Sequence, residues 1–173
     1  AGNDWLADTP TNTYCTLNPL QFSSGAPADG ALSSNGATYV TGSTIISASG
    51  KWKAEATVTS GTSTNIGVLQ ANPTLSGTTY LGLFDTTNKN GSYRSLGNGK
   101  IVNGVATGGV GVSYTTNDTI TVELDMDANP PTVSFYKNTG ALEFTQTLTA
   151  GFQYQFASST DGGAGTVVWN FGQ

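Results

Sequence analysis

Three carboxylates within five residues, Glu123, Asp125 and Asp127, are the first place in this chain to look for chemistry. Ile120, Val122, Leu124 and Met126 alternate with Thr119, Thr121, Glu123 and Asp125, the two-residue period of a half-buried strand. On such a strand the three carboxylates share one face. Carboxylates so placed can split a glycosidic bond, one as nucleophile and one as acid/base, about 5–5.5 Å apart in retaining enzymes. The run Asp125-Met126-Asp127-Ala128-Asn129 also opens like a calcium loop. A full loop needs Gly at its sixth position and Glu at its twelfth. Pro130 and Tyr136 stand there instead, which excludes an EF-hand. What is left is a weak surface ion at Asp125 and Asp127, or a solvated acidic strand end.

A second candidate is binding rather than catalytic. Residues 85–94 combine polar loop residues with an aromatic and an arginine, types enriched where proteins bind. Tyr93 would offer a stacking face to a sugar, and Asp85, Asn88 and Asn90 would bond its hydroxyls. Lys89 and Arg94 complete the expected ligand- or partner-binding set. The glycine-rich run 104–111 lacks the dinucleotide fingerprint and a following helix, so no phosphate site is implied.

Composition removes several function classes. The chain has no histidine, the usual general base of hydrolases and the commonest zinc ligand. Its single cysteine, Cys15, permits no internal disulfide or multi-cysteine metal site and reads as a small buried apolar residue. Six Lys and Arg against eleven Asp and Glu leave no cationic surface for nucleic acid. No apolar run is long enough for membrane insertion by a helix. No catalytic residue, metal ligand or cofactor is assigned.

The elements that must position these residues are strands. Charged residues make up 10% of the chain, against about 25% in an average domain, and Thr, Ser, Asn and 23 glycines take their place. Strand-like runs lie near 13–17, 37–41, 43–48, 51–58, 64–70, 79–84, 99–102, 118–126, 132–137, 142–148, 152–157 and 166–171. Asn35-Gly36, Asn90-Gly91, Asn98-Gly99 and Asn103-Gly104 read as turns. The expectation is an all-β fold, an antiparallel two-sheet jelly-roll sandwich, as one module over residues 1–173. Its core would be Trp52, Ile120, Val122, Leu124, Val133, Phe135, Phe156, Val167 and Trp169.

Several segments, in order, carry a family resemblance. Residues 117–138 resemble the core of SPRY domains, a strand ending L-D-x-D and a strand ending F-Y-K-N, with Gly140 two residues after Asn138 where the family usually has Gly directly after Asn. Gly50-Lys51-Trp52-Lys53-Ala54-Glu55 resembles the family's G-K-W strand. Ile66-Gly67-Val68, Tyr80-Leu81-Gly82, residues 92–100 and the closing Asn170-Phe171-Gly172-Gln173 follow suit. This resemblance implies a concanavalin-like sandwich. Residues 8–20, within a lead-in segment at 1–20, resemble the D-T-P-T-N-N … T-L-N-P-L lead-in of SPRY-like modules in tailed-phage structural proteins.

The resemblance implies a non-enzymatic virion protein, a fibre or a capsid or tail decoration module, binding through loops at one edge of the sandwich. Its partners would be other virion proteins or a bacterial surface glycan, and its location the particle surface. Homo-oligomerisation, a trimer as in fibre proteins, is implied by resemblance alone. The alternatives are a secreted carbohydrate-binding module and a glycosidase. The acidic strand resembles the E-x-D-x-E strand of laminarinase-like enzymes, with Asp127 in place of its last Glu. The SPRY pattern itself carries L-D-x-D at this place.

Overall fold

The protein is described by a computed structural model over residues 15–22, 27–37, 41–44, 47–61, 63–74, 87–160 and 164–172. The described strands, in chain order, are β1 Leu17–Phe22, β2 Ser33–Ala37, β3 Thr41–Ser43, β4 Lys51–Ser60, β5 Thr64–Gln70, β6 Asn90–Arg94, β7 Gly99–Val102, β8 Val105–Thr107, β9 Thr119–Asp125, β10 Thr132–Lys137, β11 Leu142–Thr147, β12 Tyr154–Thr160 and β13 Ala164–Asn170. One sheet has the order β1-β3-β12-β5-β6-β7-β8, and the other β11-β10-β9-β4-β13-β2. Every described pairing is antiparallel. The two-sheet all-β sandwich is therefore present. The expected strand at 79–84 lies outside the described residues, as do residues 13–14 of the one at 13–17 and residues 38–40 of the one at 37–41.

Alternation decides which side chains fill the space between the sheets. Ile120, Val122 and Leu124 of β9 face inward with Ala54, Ala56 and Val58 of β4, Val133 and Phe135 of β10, and Val167 and Trp169 of β13. Ile66, Val68, Tyr93, Tyr154 and Phe156 meet them from the seven-stranded sheet. Trp169 is anchored as well as packed: its indole N–H donates to Ser158 Oγ at 3.0 Å, and its ring stacks on Phe171 at 5.4 Å. Trp52 departs from expectation. It shares the inward parity of Ala54, yet it sits at the first turn out of the loop and is 38% exposed. Its indole N–H donates to Ser49 O at 2.7 Å, which holds the ring at the rim.

The seven-stranded sheet is also buried on its outer face in its middle strands. Leu69 and Ala157 have the opposite parity to Val68 and Phe156 and are fully buried, as is Ile101 opposite Ser92. The six-stranded sheet instead turns a polar outer face to solvent, carrying Lys51, Lys53, Glu123 and Asp125.

Two of the four Asn-Gly signals mark turns and two do not. Asn103 and Gly104, at φ +49° and +80°, close the two-residue hairpin between Val102 and Val105. Asn98, at φ +50°, ends the 3-10 turn before β7. Asn35-Gly36 lies inside β2, and Asn90-Gly91 opens β6, a strand paired on both sides. Gly91 is needed there for close approach: a Cβ would fall 2.6 Å from both Gln146 Nε2 and Leu148 Cδ2.

Candidate functional site

The acidic trio does not form one face. Glu123 and Asp125 project outward from β9, but Asp127 lies past the end of the strand, where the chain turns. Asp125 Oδ1 accepts the N–H groups of Asp127 and Ala128, at 3.0 and 3.1 Å, and builds that turn. Its Oδ2 sits 2.9 Å from Lys51 Nζ. The ammonium hydrogen bond, joined by the two backbone donors, holds the Asp125 carboxyl below its ordinary value. Glu123 lies 3.8 Å from Lys53. Asp127 Oδ1 accepts the Gly50 N–H at 2.7 Å and ties two loops together. Each carboxylate is thus engaged by a cation or by backbone. Among the described residues no group of three His, Cys, Asp or Glu could hold a metal ion.

The expected binding loop at 85–94 is half strand. Asp85 lies outside the described residues. Asn88 is 1% exposed: its amide donates to Thr74 O at 3.0 Å and accepts the Thr74 N–H at 2.9 Å. Asn90 is equally buried, donating to Asn88 O from its side chain and to Asn103 Oδ1 from its backbone. Tyr93 is fully buried, which corrects the expectation of a sugar-stacking ring. Burial, with Glu143 nearby, pushes its phenol far above the usual range, and the hydroxyl donates to Val112 O. Lys89 and Arg94 are the partly exposed members, separated by the length of β6. The reason is that Asn-Gly and Tyr-Arg are ambiguous in sequence, whereas β6 is a middle strand buried on both faces from Asn90 to Tyr93.

A different set of loops converges at one end of the sandwich. Gln70 pairs with Tyr154, and Ala71 N–H donates to Gln153 O. Ser47 bridges Tyr154, Met126 N–H donates to Gly50 O, and Leu148 N–H donates to Pro131 O. Asn103 Nδ2 donates to Thr149 Oγ1 at 3.0 Å. These bonds stitch the segments at 47–50, 71–74, 103–104, 126–131 and 148–153 into one surface. A cleft of about 430 Å³ opens in it, lined among others by Met126, Ala128, Asn129, Pro131, Gly151 and Phe152. Phe152 is 39% exposed beside it. A neighbouring open groove of about 370 Å³ is bounded by Trp52, Lys51, Lys53, Glu123, Asp125 and Ser134. The end therefore offers two partly exposed aromatic rings among engaged charges and backbone, a surface suited to holding a partner by shape.

Neither ring was legible as a contact residue. Trp52 alternates as a core residue and Phe152 reads as the start of a strand, so only their distance from the strand centre betrays them.

The SPRY domain family matches residues 51–167, more than half of the chain. No curated protein sequence matches it. Solved structures do. The SPRY domain of human HERC1 aligns with a TM-score of 0.71 at 18% identity, covering 91% of this chain and 98% of that chain. A human SPRY domain aligns at TM-score 0.62 and 14% identity over 88% and 98% of the two chains. The TRIM65 PSpry domain aligns at TM-score 0.63 and 15% identity over 91% and 92%. At these identities the likeness is one of fold.

Proposed function

The chain belongs to the SPRY domain family, and from that membership we propose that it is a non-enzymatic docking module of a tailed-phage particle, working through the loop end described above. SPRY domains are in general non-catalytic protein-binding modules. The observation that carries the choice of surface is the 430 Å³ cleft beside the exposed ring of Phe152, close to the rim where Trp52 stands. Partly exposed aromatics in a preformed recess are the usual anchors of protein recognition. Lys89 belongs to the same end and extends the surface. The virion setting is supported by the likeness of residues 8–20 to a phage lead-in, and the partner is then another virion protein. Many copies on one particle, in fibres or on the shell, turn weak single contacts into firm attachment.

Two measurements test this. Phe152→Ala and Trp52→Ala should each weaken binding to the purified virion partner about tenfold or more, with little change in melting temperature. Undiminished binding in both would remove the loop end from the reading. Electron microscopy of source particles labelled with an antibody to the domain tests the setting. Label at fibre tips or over the shell supports it, and bare particles refute it.

A glycan is the second reading, favoured by the groove that sets the exposed Trp52 indole beside Glu123, Asp125 and two lysines. Aromatic faces with nearby polar groups suit sugar rings. Binding to bacterial surface polysaccharide that is lost in Trp52→Ala but kept in Phe152→Ala would favour this reading.

A further inference from the structure

The cleft at the loop end carries one charge, and the protein uses only half of it. Among the described residues that line the cleft, Asp127 alone is charged. It is held from two sides. Its N–H donates to Asp125 Oδ1 at 3.0 Å, and its own Oδ1 accepts the Gly50 N–H at 2.7 Å. Asp125 is fixed in turn by Lys51, whose Nζ lies 2.9 Å from the Asp125 Oδ2. The Asp127 side chain is exposed, and its Oδ2 has no hydrogen-bond partner among the described residues. A carboxylate held in this way needs little further ordering when a ligand takes its second oxygen.

No cation answers Asp127 from within the cleft. Lys51 feels its charge, but the Lys51 ammonium is committed to Asp125 and lines the neighbouring groove. Lys53 lines that groove too, 3.8 Å from Glu123. A formal net charge of −5 over the chain adds to the negative potential. The remaining walls suit the other parts of a cationic side chain. Phe152 presents a ring that is 39% exposed, and Met126 and Pro131 add apolar surface. Asn129 and Gln153 line the cleft as exposed residues, and their side-chain amides have no hydrogen-bond partner among the described residues. The walls are also tied in place. Met126 N–H donates to Gly50 O, Leu148 N–H to Pro131 O, and Ser47 and Tyr154 exchange both backbone bonds.

We propose that this cleft takes an arginine side chain of the partner protein. The inference rests on the docking reading above and names the group that reading leaves open. The guanidinium pairs with Asp127 Oδ2 and gives its other N–H groups to the amide oxygens of Asn129 and Gln153. Its stem lies along Met126 and Pro131, and its flat face stacks on Phe152. Arginine fits better than lysine, because a planar fork of donors meets several acceptors and a ring at once, whereas an ammonium is a compact point charge. An acidic side chain is repelled by the same carboxylate.

The test needs no virion partner. The isotope-labelled full chain is titrated with the capped tripeptide Ala-Arg-Ala and followed through its backbone amide shifts. Saturable shifts are expected at Asp127, Asn129, Gly151, Phe152 and Gln153. The same peptide with citrulline, which keeps the shape and loses the charge, should bind about tenfold more weakly. Ala-Lys-Ala should also bind more weakly. Asp127→Asn keeps an oxygen for the Gly50 N–H and should weaken the arginine peptide about tenfold. Phe152→Leu removes the stacking face and serves if the first variant does not fold. No saturable shift at the cleft, equal affinity for either analogue, or full affinity in both variants would overturn the proposal. The docking reading is decided separately. A virion partner that binds wild type and Asp127→Asn equally but fails with Phe152→Ala would keep the docking surface and remove the arginine. Arginine-dependent shifts in a chain that binds no virion protein would remove the particle setting and keep the arginine site.

Discussion

Tyr93 joins the two sheets where β6 crosses β10 and β11. Its ring meets Tyr114 edge-on at 4.9 Å and Phe144 at 4.8 Å. The Tyr114 hydroxyl lies 2.7 Å from Tyr93 O and 2.8 Å from Thr64 O, and donates to one or the other. Tyr93→Ala should therefore cost about 3–5 kcal/mol of stability, as for a large buried aromatic. Tyr93→Phe, which loses only the bond to Val112 O, should cost about 1 kcal/mol. Urea denaturation measures both, and near-wild-type stability in Tyr93→Ala would contradict the core role. Gly91→Ala should cost about 1–3 kcal/mol by overpacking against Gln146 and Leu148. A residue that looked like a ligand contact is thus a packing centre, because the face of β6 that carries it is closed by Tyr114, Phe135 and Phe144.

At the scale of elements, the β10–β11 turn shows how a local departure from pattern is tolerated. Asn138 and Thr139 both adopt positive φ, +51° and +47°. Asparagine tolerates this, while a β-branched residue there costs about 1–2 kcal/mol. The family's usual Gly after Asn falls at this strained position, so Thr139→Gly should stabilise the protein by about 1 kcal/mol in the same assay. Asp118 braces the turn from the other side. Its carboxylate accepts the Thr115 N–H at 2.9 Å and the Asn138 amide at 2.6 Å, and pairs with Lys137 at 3.1 Å. Burial pushes the Asp118 carboxyl upward, but those bonds together outweigh it and hold it below its ordinary 3.8. A depressed carboxylate adds stability above its unfolded value and loses it as pH falls through the folded value. Asp118→Asn should accordingly cost about 1–3 kcal/mol near neutral pH, and its deficit should shrink in acid below the ordinary carboxylate value. A deficit independent of pH would contradict this assignment.

For the whole molecule, stability comes from packing between two sheets whose strands are joined across long stretches of chain. Such topologies fold in milliseconds to seconds rather than microseconds, and stopped-flow refolding should show it. With Cys15 as the single cysteine, melting curves with and without reductant should coincide. Antiparallel pairing also brings several loops together at one end of the sandwich.

The alternation at 119–125, the inward set at 133–135 and 167–169, and the likeness to SPRY domains were all legible in sequence, because a two-residue period records burial directly. The carboxylate strand was legible as far as Asp125. What residues 85–94 do was not, since turn signals and strand starts use the same Asn-Gly pair. Nor could period reveal that Trp52 stands at a rim, that Phe152 borders a cleft, or that Gln146 lies buried without a partner. Those facts depend on which strands lie at the edges and which loops share an end. Sequence patterning thus determined the class of fold and most of its core, while the tertiary structure alone decided the exposed surfaces, because edges and ends exist only once distant strands have paired.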